Sequence, residues 1–220
     1  MTALAALNKD TGTDVWKCDG APSRFGTPVA TKIKDVDVII TPNGDFVRAA
    51  DGKLLARTPP KMNYNAPIVS DGVAYLIQNE GDQPGRAIKL PDEPADELKP
   101  QELWITKPKA ERYYGSPLLH EGSIYAIMQQ GVLSAIDATT GTVIYEKQLD
   151  TKSMVYSSLT LAGKYVYATG EGGVTVVFEA GREYKEVKRN ELGDSFRSCP
   201  LFVGNRMYIR AKTNLYCIGK

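Results

Sequence analysis

A hairpin motif recurs in this sequence at a nearly constant interval, and this repeat restricts the possible folds more than any other feature. ALNKDTGTDVW at residues 6–16 and AIDATTGTVIY at residues 135–145 share an alanine, a Thr-Gly-Thr turn and an aromatic residue at equal spacing, 129 residues apart. Weaker copies lie between and after them. The marker position falls at Ala6, Ala49, Ala87, Ala135, Val176 and Cys217, at intervals of 43, 38, 48, 41 and 41 residues. The mean interval is about 42 residues, so 129 residues correspond to three repeats.

The segments between these markers are typical of β-strands. They are short, rich in Val, Ile and Tyr, and bounded by Gly, Pro, Asp or Asn, as in DVDVIIT and KYVYATG. The most helix-like stretch, PDEPADELKPQEL, contains three prolines, which do not fit inside a helix. An all-β fold is therefore expected. Four short strands in each unit of about 42 residues predict the four-stranded antiparallel blades of a β-propeller, because one such sheet must stack against neighbours to bury its faces.

The repeat assigns the whole chain, residues 1–220, to a single propeller domain or to part of one. Strand counting by register gives six third strands and five each of the first, second and fourth, which is 21 strands or about five blades. Because the chain begins and ends on a third strand, we expect the carboxy-terminal part of a longer protein. Closure of this chain by itself is the alternative. The expected blade registers are 1–18, 25–57, 64–106, 114–149, 156–189 and 196–220.

The composition argues against two functional classes. The sequence has 27 Lys and Arg against 26 Asp and Glu, a formal net charge of +1, whereas nucleic-acid binders usually carry a basic excess. No apolar run approaches the roughly 18 residues that cross a membrane as a helix, and the sequence shows no signal peptide. We therefore expect neither a nucleic-acid partner nor a transmembrane segment.

Residues with catalytic potential lack the partners that catalysis requires. His120, the only histidine, lies in the turn LLHEG, and a general base needs a positioned partner. Asp45 and Asp51 are interpreted as turn residues rather than calcium ligands. The three cysteines have no metal-ligand spacing, and Cys199 and Cys217 stand in strand registers where buried small side chains are expected. These residues predict no catalytic group, no metal and no cofactor.

One repeated pattern indicates a binding surface. Before each first strand an aromatic residue recurs with a basic residue nearby. In a propeller these loops open on one face near the central channel, so the rings and cations would surround its mouth and could bind a protein, a peptide, or a small anionic or glycan ligand. The alternative is that the rings pack between blades and the cations are ordinary solvated charge. The candidate residues are Arg24, Phe25, Lys61, Tyr64, Arg112, Tyr114, Lys152, Tyr156, Phe196 and Arg197.

A second feature is the segment 79–112, which has the longest connections of any repeat. Four prolines between residues 84 and 100 and dense mixed charge predict exposed loops rather than core. Such insertions can carry binding specificity or simply decorate the rim. If the chain is part of a larger ring, unpaired blade edges would also favour pairing with another copy.

The repeat resembles that of pyrroloquinoline-quinone-type (PQQ-like) propellers. The pattern of Ala-x-Asp or Ala-x-Asn, then Thr-Gly and an aromatic residue, is present at residues 6–16 and 135–145. The ending, FRSCPLFVGNRMYIRAKTNLYCIGK, is similar to the terminal blade of secreted PQQ-like repeat proteins of planctomycete-type bacteria. The resemblance implies a ring of seven or eight blades and a periplasmic or extracellular location. A cytoplasmic location stays open.

The resemblance implies two functional classes. One is a non-catalytic scaffold, since propellers of this repeat type include the lipoprotein scaffold of outer-membrane protein assembly. The other is a degenerate quinoprotein-type alcohol or sugar dehydrogenase with a channel-mouth site. Quinone dehydrogenases of this superfamily use a Cys-Cys disulfide, a Trp under the quinone and Ca²⁺. This sequence has no Cys-Cys, and Trp16 and Trp104 stand in fourth-strand positions. We therefore expect a binding scaffold without a cofactor.

Overall fold

The structure, a computed structural model, describes residues 4–22, 24–81, 83–109 and 112–219. The described residues contain no helix and form 21 antiparallel strands in six sheets. In chain order the sheets have two, four, four, four, four and three strands. The predictions of an all-β fold and of mostly four-stranded antiparallel sheets are therefore confirmed. With no helix in this part of the chain, none is available to cross a membrane. The chain divides into two compact units, residues 1–106 and 107–220.

The first unit contains three sheets. The first sheet has only two strands, which correspond to the third and fourth strands of a complete repeat, and the second and third sheets have four strands each in sequence order. Ala6 pairs with Trp16, and Ala87 pairs with Trp104, so both tryptophans occupy fourth strands as predicted. The strands are β1 (Leu4–Leu7), β2 (Asp14–Cys18), β3 (Val29–Ile33), β4 (Val36–Ile40), β5 (Asp45–Arg48), β6 (Leu54–Arg57), β7 (Ile68–Ser70), β8 (Val73–Glu80), β9 (Gln83–Lys89) and β10 (Gln101–Thr106).

The second unit also contains three sheets. The fourth and fifth sheets are complete, whereas the sixth has three strands and ends on a third strand. Ala135 pairs with Tyr145 in the fourth sheet, as Ala6 pairs with Trp16 in the first. The strands are β11 (Leu118–His120), β12 (Ser123–Ile127), β13 (Val132–Asp137), β14 (Val143–Gln148), β15 (Thr160–Ala162), β16 (Tyr165–Thr169), β17 (Val174–Glu179), β18 (Lys185–Glu191), β19 (Leu201–Val203), β20 (Arg206–Arg210) and β21 (Leu215–Gly219).

The two best copies of the repeated hairpin have the same turn. In the first copy the Asn8 side chain accepts hydrogen bonds from the backbone amides of residues 10 and 11, at 3.0 and 2.9 Å. In the second copy the Asp137 side chain accepts from residues 139 and 140, at 3.0 Å each. Gly12 and Gly141 follow with φ of 72° and 73°, a region that glycine enters without strain. The recurrence therefore reflects one turn with one bonding scheme.

Each unit has a core of side chains from its inner strands. In the first unit, buried Ile40, Phe46 and Leu76 belong to one cluster that joins the second and third sheets. In the second unit, Tyr125 and Phe178 belong to a cluster that joins the fourth and fifth sheets. Adjacent sheets thus bury each other's faces, as the repeat predicts.

Trp16 shows how a fourth-strand aromatic residue joins adjacent sheets. Its indole Nε1–H donates to the backbone carbonyl of Ala49 in the second sheet, at 2.9 Å. A Cβ built on Gly52 would lie 2.5 Å from the indole ring, so the glycine provides the space that the ring fills. This aromatic residue therefore forms a direct contact between the first and second sheets.

The connection in the segment 79–112 is mostly exposed, as predicted, but it has one buried anchor. It includes β9 and β10, and its connection over residues 90–100 carries Leu98, which is buried and donates its backbone amide to Leu55 at 2.9 Å. Asp96 forms ion pairs with Arg48 and Lys53, at 2.7 Å each. The prediction of exposed loops is therefore wrong for this anchor, because one apolar side chain and its charged neighbour attach the connection to the second sheet.

Two other predictions need correction. Asp45 is not a turn residue: it begins β5, is buried, and lies 3.3 Å from the Arg57 guanidinium, and its burial raises the pKa of its carboxyl. Cys199 and Cys217 are exposed rather than buried. Cys199 precedes β19, and Cys217 lies on β21, which in the described part of the chain pairs only with β20. A position on a strand is buried only where a neighbouring sheet covers that face of the strand.

Candidate functional site

The predicted binding residues follow a stricter rule in the structure than in the sequence. One repeat position lies four residues before each first strand. The serine that follows this position shows that the last two repeats are equivalent. The Ser157 hydroxyl donates to the carbonyl of Thr169 at 3.0 Å, and the Ser198 hydroxyl donates to the carbonyl of Arg210 at 2.8 Å. Each acceptor lies twelve residues after its donor. The five residues at the position are Phe25, Tyr64, Tyr114, Tyr156 and Arg197.

In the last repeat this position belongs to Arg197. The sequence pattern had predicted Phe196, one residue earlier, as the counterpart of the aromatic residues in the other repeats. Phe196 is only 5% exposed and packs against Ile209 and Ala211. Its counterparts one residue before Tyr114 and Tyr156 are Tyr113 and Val155, which are also buried. Consecutive side chains of an extended segment point to opposite sides, so Phe196 belongs to the core. Counting back three residues from the proline before β19 would have identified Arg197.

The second unit brings three of these residues into one stack. The rings of Tyr114 and Tyr156 lie 4.8 Å apart between centroids with an angle of 22° between their planes. The Arg197 guanidinium lies over the Tyr156 ring, 4.1 Å from its centroid. Both geometries are favourable, the first through ring stacking and the second through attraction of a cation to the ring face. We call Tyr114, Tyr156 and Arg197 the aromatic row.

The spacing of the row depends on a glycine that follows the first tyrosine. A Cβ built on Gly115 would lie 2.4 Å from the backbone oxygen of Ser157, closer than any side chain could approach. The backbone amide of Ser116 donates to the Ser158 hydroxyl at 2.9 Å. Because the two loop segments touch through their backbones, Tyr114 and Tyr156 are brought within stacking distance.

The first unit repeats this arrangement. Phe25 and Tyr64 stack with centroids 5.4 Å apart and planes only 4° apart. A Cβ on Gly26 would lie 2.3 Å from the Asn65 carbonyl oxygen, as at Gly115. Phe25 is 72% exposed, so this ring contributes little to a core. The stacked pair therefore presents an apolar ring face to solvent.

Arg197 is oriented from two sides. Its Nε donates to Glu171 Oε1 at 2.6 Å, and this bond raises the pKa of the guanidinium. Glu171 is itself held by its backbone, which donates to the Met154 carbonyl at 2.8 Å and accepts from the Phe196 amide at 3.0 Å. The Arg197 side chain nevertheless stays mostly exposed. The row therefore ends in a cation that is fixed in place and open to solvent.

An open cavity of about 440 Å³ adjoins the end of the row. Its lining includes Arg197, Glu171, Arg210 and Lys212. Within the described residues, neither Arg210 nor Lys212 forms an ion pair. Sequence reasoning missed both, because they follow the first strand by about ten residues and only the fold brings them to the loop that precedes it.

The remaining predicted residues are not part of the row. Arg24 and Lys61 are exposed, and the Lys61 backbone amide donates to the Gln83 side chain at 2.9 Å. The Arg112 carbonyl accepts from the Gln129 amide at 2.9 Å. The Lys152 ammonium pairs with Glu191 on β18 at 2.6 Å.

Groups that could support other chemistry were also located. The described residues include no cluster of three or more His, Cys, Asp and Glu side chains able to hold a metal ion. His120 ends β11, and its nearest ionic neighbour is Glu121 at 3.7 Å. The Trp16 ring packs between sheets, and Trp104 is 8% exposed and packs against Tyr75. Both tryptophans therefore have packing roles, and they do not fit the ring that lies under a quinone.

Stacked four-stranded antiparallel sheets joined by these loops define a β-propeller of the PQQ-like class. A family model described as "Outer membrane protein assembly factor BamB" matches residues 1–219, and the chain belongs to this family. No curated protein matches the sequence.

Two solved structures show the same fold. BamB from Moraxella catarrhalis has a TM-score of 0.66 and 16% identity over 94% of this chain. The computationally designed Ika8 protein has a TM-score of 0.66 and 13% identity over 98% of this chain. The chain spans 62% and 64% of the lengths of these two proteins. At such identities the likeness concerns the fold alone.

Proposed function

We propose that this protein is a non-catalytic binding scaffold that holds a peptide segment of a partner protein on the aromatic row. The observation that carries the proposal is the contact of Arg197 with Tyr156, in which a cation held by Glu171 continues a tyrosine stack and remains mostly exposed. Rings and a guanidinium in one row are the side chains that dominate protein interfaces.

The row offers a peptide two kinds of contact. The tyrosine rings are half-buried, so each presents an apolar edge on which a partner side chain can pack. The guanidinium can donate to a carbonyl or carboxylate oxygen of the partner while it keeps its bond to Glu171, because arginine has five N–H donors. Since the row is already stacked, the ordering of these side chains costs little when a partner binds.

Family membership agrees with this role, since the family description names an outer membrane protein assembly factor. We extend the proposal to a periplasmic or extracellular location and to a partner that is a protein rather than nucleic acid. The exposed Phe25 and Tyr64 pair is proposed as an equivalent contact in the first unit.

The test is selection of displayed random 12-residue peptides on the wild-type protein, followed by measurement of the dissociation constants of synthesised peptides. Tyr156→Leu removes the ring between Tyr114 and Arg197 and should weaken the selected peptides at least tenfold. This corresponds to about 1.4 kcal/mol, the size expected for one interface anchor.

A matched control is Tyr165→Leu. Tyr165 lies on β16 of the fifth sheet, the sheet that Tyr156 precedes, and also has a cation near its ring, Lys164 at 5.5 Å. This variant should bind the peptides as the wild-type protein does. Selected peptides that bind the wild-type protein and Tyr156→Leu equally well would refute the proposed function of the row.

A further inference from the structure

We propose that the cavity beside Arg197 is a carboxylate-binding site for an acidic residue of an extended peptide. We call it the basic cavity; it is lined by Arg197, Arg210, Lys212, Glu171, Ser195 and Ser198. The inference rests on the proposed function, since the peptide that enters the basic cavity is the one that lies on the aromatic row.

The charge of the basic cavity is the first argument. Three cations and one carboxylate line it, which leaves a surplus of two positive charges, whereas the whole sequence has a formal net charge of only +1. The one carboxylate, Glu171, is bound to Arg197 at 2.6 Å. Within the described residues, Arg210 and Lys212 have no carboxylate partner. An anionic ligand would supply one.

The backbone of the basic cavity is held in place before any ligand binds. The Lys212 amide donates to the Ser195 carbonyl at 2.8 Å. The turn that contains Lys212 is bound to Asp194, which accepts from Thr213 Oγ1 at 2.7 Å and from Asn214 Nδ2 at 3.2 Å. Ligand binding therefore needs to order only the ends of two side chains, which limits its entropic cost.

The donors of the basic cavity fit the shape of a carboxylate. A carboxylate can accept two parallel N–H bonds from one guanidinium such as that of Arg210.

The apolar parts of the basic cavity favour a peptide over a free anion. Buried Phe196 and Ala211 form part of its lining, and the Tyr156 ring lies under the adjoining Arg197. An extended chain with an acidic and an apolar residue two positions apart presents both side chains on one face, so it would place its carboxylate near Arg210 and its apolar side chain against the rings.

The experiment uses an acetylated and amidated pentapeptide, Glu-Ser-Leu-Ser-Glu, whose Glu and Leu side chains share one face of the extended chain, and its analogue with Gln in place of both Glu residues, each titrated into the protein labelled with ¹⁵N. The Glu peptide should shift the backbone amide signals of Ser195, Ser198 and Lys212, and the Gln analogue should bind at least tenfold more weakly. Arg210→Gln and Lys212→Gln should each raise the dissociation constant about three- to fivefold, the range of one exposed charge pair.

Two matched variants serve as controls. Arg206 is exposed at the other end of β20 and Lys188 is exposed on β18, so Arg206→Gln and Lys188→Gln remove the same charges away from the basic cavity. Both should leave the dissociation constant within twofold of the wild-type value. Raising the salt concentration should weaken binding of the Glu peptide but not of the Gln analogue.

The outcomes separate this inference from the proposed function. Equal binding of the Glu and Gln peptides, both sensitive to Tyr156→Leu, would overturn the carboxylate site and leave the aromatic row as a peptide site. Inorganic phosphate that shifts the same amides and binds as tightly as the Glu peptide would also overturn the assignment, in favour of a small-anion site. A Glu peptide that is insensitive to Tyr156→Leu but weakened by Arg210→Gln would support the carboxylate site and contradict the role of the row.

Discussion

Gly115 sets the spacing between the first two rings of the aromatic row, and Gly115→Ala tests this directly. The glycine lies outside the left-handed region, so an alanine meets no backbone strain there. Its methyl group would instead lie 2.4 Å from the Ser157 oxygen and 2.9 Å from the Ser158 Cα, where ordinary contacts are 3.4–4 Å. The two segments would therefore have to separate by about 1 Å, against the packing that holds them.

The expected cost can be estimated from two opposing effects. Overpacking of this kind costs about 1–3 kcal/mol, and the smaller conformational freedom of alanine in the unfolded chain returns about 0.4–1 kcal/mol. We therefore expect Gly115→Ala to lower the free energy of unfolding by about 1–2 kcal/mol. The tyrosine signal in near-ultraviolet circular dichroism should also change, because Tyr114 and Tyr156 separate.

Urea unfolding followed by circular dichroism measures this change. With a slope of about 3 kcal/mol per molar urea, the midpoint should fall by about 0.3–0.7 M. Two glycine variants separate crowding from backbone strain. Gly181→Ala has no neighbouring atom closer than 4.0 Å and should be neutral or slightly stabilising. Gly122→Ala has free space but a φ of +71°, so it should be destabilised without a change in the tyrosine signal.

The result that would refute this reasoning is a Gly115→Ala protein with an unfolding midpoint and a tyrosine spectrum equal to those of Gly181→Ala. The loop segments would then tolerate a side chain between them, and the contact of their backbones could not be what places the two rings.

Three further predictions concern other parts of the fold. Trp16→Phe keeps most of the ring but loses the indole donor to the next sheet, so the free energy of unfolding should fall by about 0.5–1.5 kcal/mol in urea titrations, and an unchanged midpoint would show that this bond contributes nothing. Two lysines lower the pKa of Glu179 to about 2 from 4.5. The stabilising effect of this carboxylate is complete above pH 4.5 and is lost as the pH falls toward 2. Glu179→Gln should therefore flatten the dependence of the unfolding midpoint on pH in this window, and a curve parallel to that of the wild type would contradict the assignment. In native protein, a thiol reagent should modify the exposed Cys199 and Cys217 at once and the buried Cys18 only after unfolding. Rapid reaction of all three cysteines would contradict the burial of Cys18.

The repeat could be predicted because its information is local. Asn8 and Asp137 form the same side-chain bonds to the backbone two and three residues ahead, and such bonds depend only on neighbouring residues. The strand count and the strand register followed from the same turns. These features need no knowledge of which sheets lie beside one another.

The candidate site was predicted only in part, because its residues come from different repeats. The sequence pointed to Tyr114, Tyr156 and Arg197, but the alignment placed Phe196 at the position that Arg197 occupies. A shift of one residue exchanges the buried and exposed sides of an extended segment. Arg210 was not predicted at all, since nothing in its own repeat marks it as a neighbour of that segment.

The sequence by itself determined the period of about 42 residues, the all-β class and the four-stranded unit, because short-range turn chemistry and alternation of side chains dictate them. Tertiary structure alone decided which residues meet. It brought two tyrosines within 4.8 Å, placed a guanidinium on one of them, and left two further cations of the basic cavity without a carboxylate partner among the described residues. Such contacts depend on how closely neighbouring sheets approach, which Gly115 and its backbone contacts set across about 42 residues of intervening chain.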